Sequence, residues 1–294
     1  MYGHKPFRDS LSPASGRHRD GLRLTSESGI FAAEPAKDAE IAALLALART
    51  ARRIVAFTGA GISTESGIPD YRGPGGIWER NAPPTLGDFR DNIETRRAYW
   101  LERRERYGKL RDTLPNSGHF SLTRLQRAER LTGIITQNID GLHQKAGSDP
   151  AATIELHGTA HQVRCLDCES SWPAEQIQAR LAVQPLPACT VCGGILRAAT
   201  ILFGESLPAD ALRRAIAAAS ACDLMIVVGS SLIVQPAARL PRIAANAGAR
   251  LAIVNAEPTP LDTIADVVVR SGAGAVLSAL ADDVEREIAQ RGEG

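Results

Sequence analysis

Short apolar runs rich in Val and Ile recur along this chain, and helix-like stretches separate several of them. They are Arg53–Thr58, Gly133–Thr136, Thr153–Leu156, Thr200–Phe203, Leu224–Val228, Arg250–Val254 and Val267–Arg270. Between and around them lie helical patterns at Asp38–Thr50, Asn92–Tyr107, Ser117–Arg130, Ala209–Ala221, Pro236–Ala247 and Ala275–Gln290. A strand that is apolar throughout must be covered on both faces, so this alternation predicts an α/β fold with a doubly wound parallel sheet. Ligands of such sheets sit at the carboxyl ends of the strands, where the polar residues that follow each run become candidates for a site.

The chain has 294 residues, 44% of them hydrophobic, enough for one large domain or one domain carrying a smaller module. Its net charge of +1 gives no polyelectrolyte signature and argues against nucleic acid as the main partner. No apolar stretch approaches the ~18 residues of a membrane span. Residues 1–35 lack the apolar core of a secretory signal, and their acids nearly balance their bases, unlike a transit peptide. They read as a disordered arm, with the folded domain expected over 36–294. Five cysteines with no export signal predict a reducing, cytoplasmic setting. Cys222, alone in an apolar stretch, reads as a small buried hydrophobe.

Two stretches interrupt the alternation. Residues 74–116 are rich in Arg, Glu, Trp and Tyr and read as a small helical module. Residues 161–197 hold Cys165-Leu-Asp-Cys168 and Cys189-Thr-Val-Cys192. Two such knuckles can present four thiolates to one tetrahedral ion and leave no position for water, which predicts a structural zinc module. Two disulfides, or four incidental thiols, are the alternative.

Gly59 and Gly61 follow the first apolar run and would let the backbone approach a pyrophosphate with its amides pointing at it. The third glycine of a dehydrogenase fingerprint is missing, since Thr64 stands there, and no acid ends a strand about 20 residues on. Gln137-Asn138-Ile139-Asp140 follows another run; its polar residues could meet a ligand or cap a helix. His157 ends a third, as a structural histidine or as a general base poised near neutral pH. Gly229-Ser230-Ser231 and Asn255 end two more, offering short groups to ribose hydroxyls, though the serines could equally cap a helix.

The stretches "GAGIS", "GIPDYR", "TQNIDGLHQKAG", "ELHG", the paired knuckles, "FGE", "VGSSL" and "IVNAEP" occur in one order from Ile54 to about Pro258. In this the chain resembles the sirtuins, NAD-dependent protein-lysine deacylases. "GAGISTESGIPDYR" and the stretch before "PNSGH" are similar to the branch with mitochondrial and many bacterial members. The resemblance implies that NAD is a cosubstrate whose nicotinamide–ribose bond is broken. It implies that Gly59, Ala60, Gly61 and Ser63 line the cofactor, with Asp70, Tyr71 and Arg72 on its mobile cover. Gln137, Asn138, Ile139 and Asp140 would form the nicotinamide pocket. Gly229, Ser230, Ser231, Asn255, Ala256, Glu257 and Ala273 would hold the remainder.

By the same resemblance His157 is the general base for a ribose hydroxyl. The acyl oxygen attacks the ribose as nicotinamide leaves, and the acyl group ends on ADP-ribose. Phe203, Gly204, Glu205 and Val234 would flank an acyl-lysine peptide added as a strand. A mono-ADP-ribosyltransferase would use the same pocket, a dehydrogenase would keep nicotinamide attached, and a non-catalytic zinc module would tolerate loss of His157. Sirtuins that prefer acidic acyl groups carry a Tyr and an Arg three residues later. Here Tyr99 is followed by Glu102, so acidic acyl groups are expected to be disfavoured.

Overall fold

Strand β1 (Ile54–Thr58) is buried along its whole length, as a strand with neighbours on both sides and helices on both faces must be. The structure is a computed structural model that describes residues 35–70 and 84–292. The expected N-terminal arm lies outside the described residues apart from Pro35, which opens helix α1 (Pro35–Thr50). Tyr71 and Arg72 also lie outside them.

β1 pairs in parallel with β2 (Leu131–Thr136) on one side and β7 (Leu224–Val228) on the other. β3 (Thr153–Glu155) extends the sheet beyond β2. β8 (Arg250–Val254) and β9 (Val267–Val269) extend it beyond β7. The order is β3-β2-β1-β7-β8-β9, with the chain reversing its direction of growth between β1 and β7. That reversal opens a crevice at the carboxyl ends of these two strands.

Side chains alternate across each strand. Ile54 and Ala56 pack with Ile134 and Ile226 under helices α1, α4 (Ser117–Arg127) and α9 (Ala273–Gly292), meeting Leu44, Leu122, Leu125, Val276, Leu277 and Leu280. Val55 and Phe57 face the opposite layer with Met225 and Val227, under α7 (Ala209–Ala221) and α8 (Leu240–Asn246). Cys222 is buried in that second layer and its Sγ lies 3.2 Å from the Ala219 carbonyl, the packing role expected of it.

A second, antiparallel sheet is ordered β5-β4-β6: β5 (Ser171–Pro173), β4 (Gly158–Cys165) and β6 (Leu196–Thr200). Helix α6 (Ala174–Arg180) packs on it. The segment 84–116 supplies α2 (Leu86–Asp91), opened by a Thr85–Asp88 capping box, and α3 (Ile93–Asp112), opened by Asn92. Trp100 and Tyr107, seven residues apart and so on one face of α3, enter the same cluster as Val163, Ile177 and Leu196. The two interruptions therefore share a core. The short helix α5 (Leu142–Lys145) completes the list of named elements.

One expected strand is absent: Thr200–Phe203 is not part of the main sheet. β6 ends at Thr200, and Phe203 pairs with Thr85 in an isolated bridge outside the named strands. The apolar character of this stretch reflects partial cover by neighbouring elements, not a place in a ladder. The expected helix Pro236–Ala247 is split into a tight turn at Ala237–Arg239 and α8, with Pro241 in the first turn of α8, where no intrahelical amide donor is needed.

Candidate active site

The parallel strands β1, β2, β3, β7 and β8 end on one side of the sheet, and polar residues follow each of them. The glycines after β1 serve a purpose the sequence did not reveal. The Gly59 amide donates to the Val228 carbonyl at 3.0 Å and the Gly61 amide to the Gly229 carbonyl at 2.8 Å. These amides therefore do not point at a pyrophosphate, as expected; they stitch the β1 loop to the β7 loop. A Cβ on Gly59 would lie 2.7 Å from the Gly229 oxygen, and one on Gly229, whose φ is +61°, would lie 2.4 Å from the Ile62 nitrogen. Two backbones touch here, and only glycine permits it. Ala60 begins the tight turn between these contacts.

Ser63 is buried and donates through Oγ to Asp140 Oδ2 at 2.7 Å. The Asn138 side-chain amide donates to the Gly59 carbonyl at 3.1 Å and to Ser63 Oγ at 3.2 Å. Asp140 uses its other oxygen to accept the Leu142 amide at 3.0 Å, so it caps the start of α5 while holding Ser63. One carboxylate with two oxygens thus serves the start of α5 and the polar cluster at once. The Ile139 carbonyl accepts the Ala160 amide at 2.9 Å, which ties this loop to β4.

Gln137 links this cluster to two others. Its side-chain amide donates to Ser230 Oγ at 2.8 Å, and its carbonyl lies 2.9 Å from His157 Nδ1. A carbonyl only accepts, so Nδ1 carries the proton and Nε2 keeps its lone pair. Burial lowers the His157 pKa from the ordinary value, partly offset by the bond to Gln137. The imidazole is thus neutral, with the tautomer a base requires. The His157 carbonyl in turn accepts the Ile201 amide at 3.0 Å, and β4 starts at the next residue, Gly158.

Beyond β8, the Asn255 side chain donates to the Glu257 carbonyl at 2.7 Å, and Arg270 donates to the carbonyls of both residues. Ala256 sits in this exposed turn, and Ser231 is half-buried beside Ser230. Ala273 is buried as the first residue of α9. Its neighbour's amide, on Gly274, donates at 2.9 Å to Glu65 in the β1 loop. Asp70 ends the described part of that loop.

Phe203 and Gly204 are exposed, while Val234 is half-buried on the opposite loop. Glu205 differs: its carboxylate is held by Arg197 and Arg164 and accepts the Leu202 amide at 3.1 Å. Its contribution is to fix the loop.

Sequence reasoning passed over three histidines here. His143 Nε2 lies 2.9 Å from Thr58 Oγ1, and its ring is 5.0 Å from that of His119. Burial lowers His119 to about 4 and His143 to about 3. His119 Nδ1 meets Asn116, whose amide donates to the Ile62 carbonyl at 2.8 Å. His161 Nε2 donates to the Asp140 carbonyl at 2.7 Å. The only available signal was that all three flank motif residues.

Tyr99 and Glu102 have separate partners. Tyr99 is partly buried against the second sheet, where its hydroxyl accepts the Ala198 amide at 3.1 Å. Glu102 is 47% exposed and pairs with Arg106 at 2.6 Å.

The four knuckle sulfurs all lie within 4.8 Å of one another. Cys165 and Cys192 are 3.6 Å apart, as are Cys168 and Cys189, and all are free thiols. These separations are far beyond a disulfide bond and near the ~3.8 Å edge of a tetrahedron with ~2.3 Å metal–sulfur bonds. The amides of Asp167 and Val191 donate to Cys165 and Cys189 at 3.4 Å, which suits thiolates. The donor set fits a structural zinc ion, which would close the far end of the β5-β4-β6 sheet.

A doubly wound sheet, a buried histidine at a strand end and a four-thiolate module together suit a nucleotide-using enzyme of a restricted kind. The chain belongs to the Sir2 family, whose profile matches residues 59–236. It is 45% identical over 227 residues to NAD-dependent protein deacetylase 1 of Bradyrhizobium diazoefficiens, covering 77% of this chain and 89% of the relative. It is 41% identical over 249 residues to NAD-dependent protein deacylase 2 of Pyrobaculum aerophilum, covering 83% and 96%. A solved structure described as "Sir2-p53 peptide-NAD+" superposes with a TM-score of 0.75 at 37% identity, covering 83% of this chain and 98% of that one.

Proposed function

We propose that the crevice binds NAD and that the enzyme moves the acyl group of an acyl-lysine side chain onto its ADP-ribose, releasing nicotinamide. The observation that carries this is the joined geometry of Gln137-Asn138-Ile139-Asp140. One loop builds a buried polar cluster with Ser63 and, through the Gln137 carbonyl, fixes the tautomer of His157. Asn138 and Asp140 hold the nicotinamide amide, while Ser230 and Asn255 meet ribose hydroxyls at the other strand ends. Ala60 and Gly61 flank the phosphates through the shape of their turn.

His157 accepts a proton at Nε2 from a ribose hydroxyl, which frees that oxygen to attack the activated acyl carbon. Lysine then leaves as the free amine and water adds to the acyl carbon, so the acyl group ends as an ester on ADP-ribose. The peptide lies as an added strand between Phe203-Gly204 and Val234, so its backbone supplies affinity with little sequence readout. Four free thiols held ready for a metal suit a reducing compartment, and the cytoplasm is the setting proposed. No helix among the described residues is long and apolar enough to cross a membrane.

The relatives' names support deacylation over ADP-ribosyl transfer to protein. Incubating the purified protein with NAD and an acetyl-lysine peptide, then analysing by mass spectrometry, tests it. Nicotinamide, free lysine and acylated ADP-ribose are expected. ADP-ribose retained on the peptide would establish the transferase instead.

A further inference from the structure

Arg197 is 1% exposed, an unusual depth for a guanidinium. It lies on β6, five residues after Cys192, and donates to both oxygens of Glu205 at 2.5 and 2.6 Å and to the Thr200 carbonyl. Arg164 on β4, adjacent to Cys165, also donates to Glu205. With the Leu202 amide, the one carboxylate closes the turn 202–205 on itself and fastens it to both long strands of the zinc sheet. The same segment is held at two more points. The Ile201 amide reaches the His157 carbonyl, and the Phe203 carbonyl accepts the Leu86 amide at 3.0 Å from the helical segment.

A buried ion pair is a poor source of stability, because desolvation offsets most of its attraction and an apolar replacement is often neutral or better. Burial indeed lowers the Arg197 pKa against the pull of Glu205. What the cluster supplies is position. It sets how far the exposed Phe203-Gly204 edge stands from the histidine whose carbonyl anchors the same segment.

We propose that Arg197 is a positioning residue for the acyl-lysine peptide: through Glu205, and seconded by Arg164, it clamps the substrate-side loop to the zinc sheet and to His157. This rests on the reading that the peptide adds along Phe203-Gly204. The NAD-side loops at 59–66, 229–231 and 255–257 are held by other bonds, so the clamp governs the peptide and not the cosubstrate.

The test uses the full chain with zinc content verified. A fluorescent acetyl-lysine peptide is bound in the presence of ADP-ribose and read by anisotropy, so no turnover is needed. Affinity for ADP-ribose and Tm are measured alongside. Arg197→Met is expected to weaken peptide binding by at least about tenfold while ADP-ribose affinity changes less than about twofold. Arg164→Met, at a 37% exposed position, shifts it the same way but less. The double variant Arg197→Met, Glu205→Gln removes both charges. It is expected to regain Tm while peptide binding stays weak, because a purely structural cluster would recover both together. Peptide affinity within twofold of wild type in Arg197→Met overturns the proposal. So does a parallel loss of peptide and ADP-ribose affinity, or recovery of peptide binding in the double variant. Wild-type protein that binds no peptide refutes the underlying reading of the site, an outcome distinct from any of these.

Discussion

His157 shows how much of a site one hydrogen bond determines. Because Nδ1 is committed to the Gln137 carbonyl, the base nitrogen is chosen before any ligand arrives. His157→Ala is expected to reduce kcat/KM for deacylation by ~100- to 10,000-fold with ADP-ribose affinity nearly unchanged. Calorimetric titration beside steady-state assays separates the two. The pKa of this group is lowered by burial, and the neutral form is the active one. Activity in the pH profile of kcat/KM should therefore rise on a limb centred below the ordinary histidine value of about 6.5. A limb at or above that value would contradict a buried, neutral base. Gly229 sets a different constraint at the same scale. Gly229→Ala places a methyl group against the Gly61–Ile62 backbone at positive φ. It should lower stability by more than ~1–3 kcal/mol, measured by denaturant unfolding.

Among the elements, the loop after β2 joins the Ser63 cluster, Ser230 and His157. Asn138→Ala and Asp140→Ala are expected to slow nicotinamide release far more than they weaken ADP-ribose binding, because their partners lie in the Ser63 cluster and not along the rest of the crevice. Equal losses in both would reduce Asp140 to its capping of α5. The strands of the main sheet were legible because two-sided burial leaves the middle of each run almost wholly apolar, as in Leu224–Val228. Thr200–Phe203 carries the same apolar signature and is no strand of that sheet, since composition cannot tell a ladder from a loop partly covered by neighbours. Cys165, Cys168, Cys189 and Cys192 were legible from spacing alone. Arg197 was not: a buried charge has no periodic signal, and its partner is visible only once β6 and the following turn are folded. Nor could sequence show that the Gly59 and Gly61 amides face the β7 loop, because that contact joins residues about 170 apart.

For the molecule as a whole, the zinc sheet and helix α3 share a core that includes Cys165 and Cys189. Removing the ion with a chelator should thus loosen α3 along with the knuckles, seen as a loss of helical ellipticity together with activity. Acid acts elsewhere. The unfolded chain protonates His119 and His143 near 6.5, whereas the folded protein resists until about 4 and 3. The unfolded state then binds more protons across that window, so stability falls as pH drops from about 6.5 towards 4. Urea midpoints that stay flat between pH 7 and 5 would refute this.

Helix α9 follows every strand in the chain, yet it covers one face of the sheet, caps the β1 loop through Glu65 and receives Arg49 on Asp283. During synthesis the apolar residues Ile54, Ala56, Ile134 and Ile226 are therefore complete long before their cover exists. A ribosome-bound nascent chain halted before Ala273 displays a sticky, half-roofed sheet, the species for which chaperones compete with aggregation.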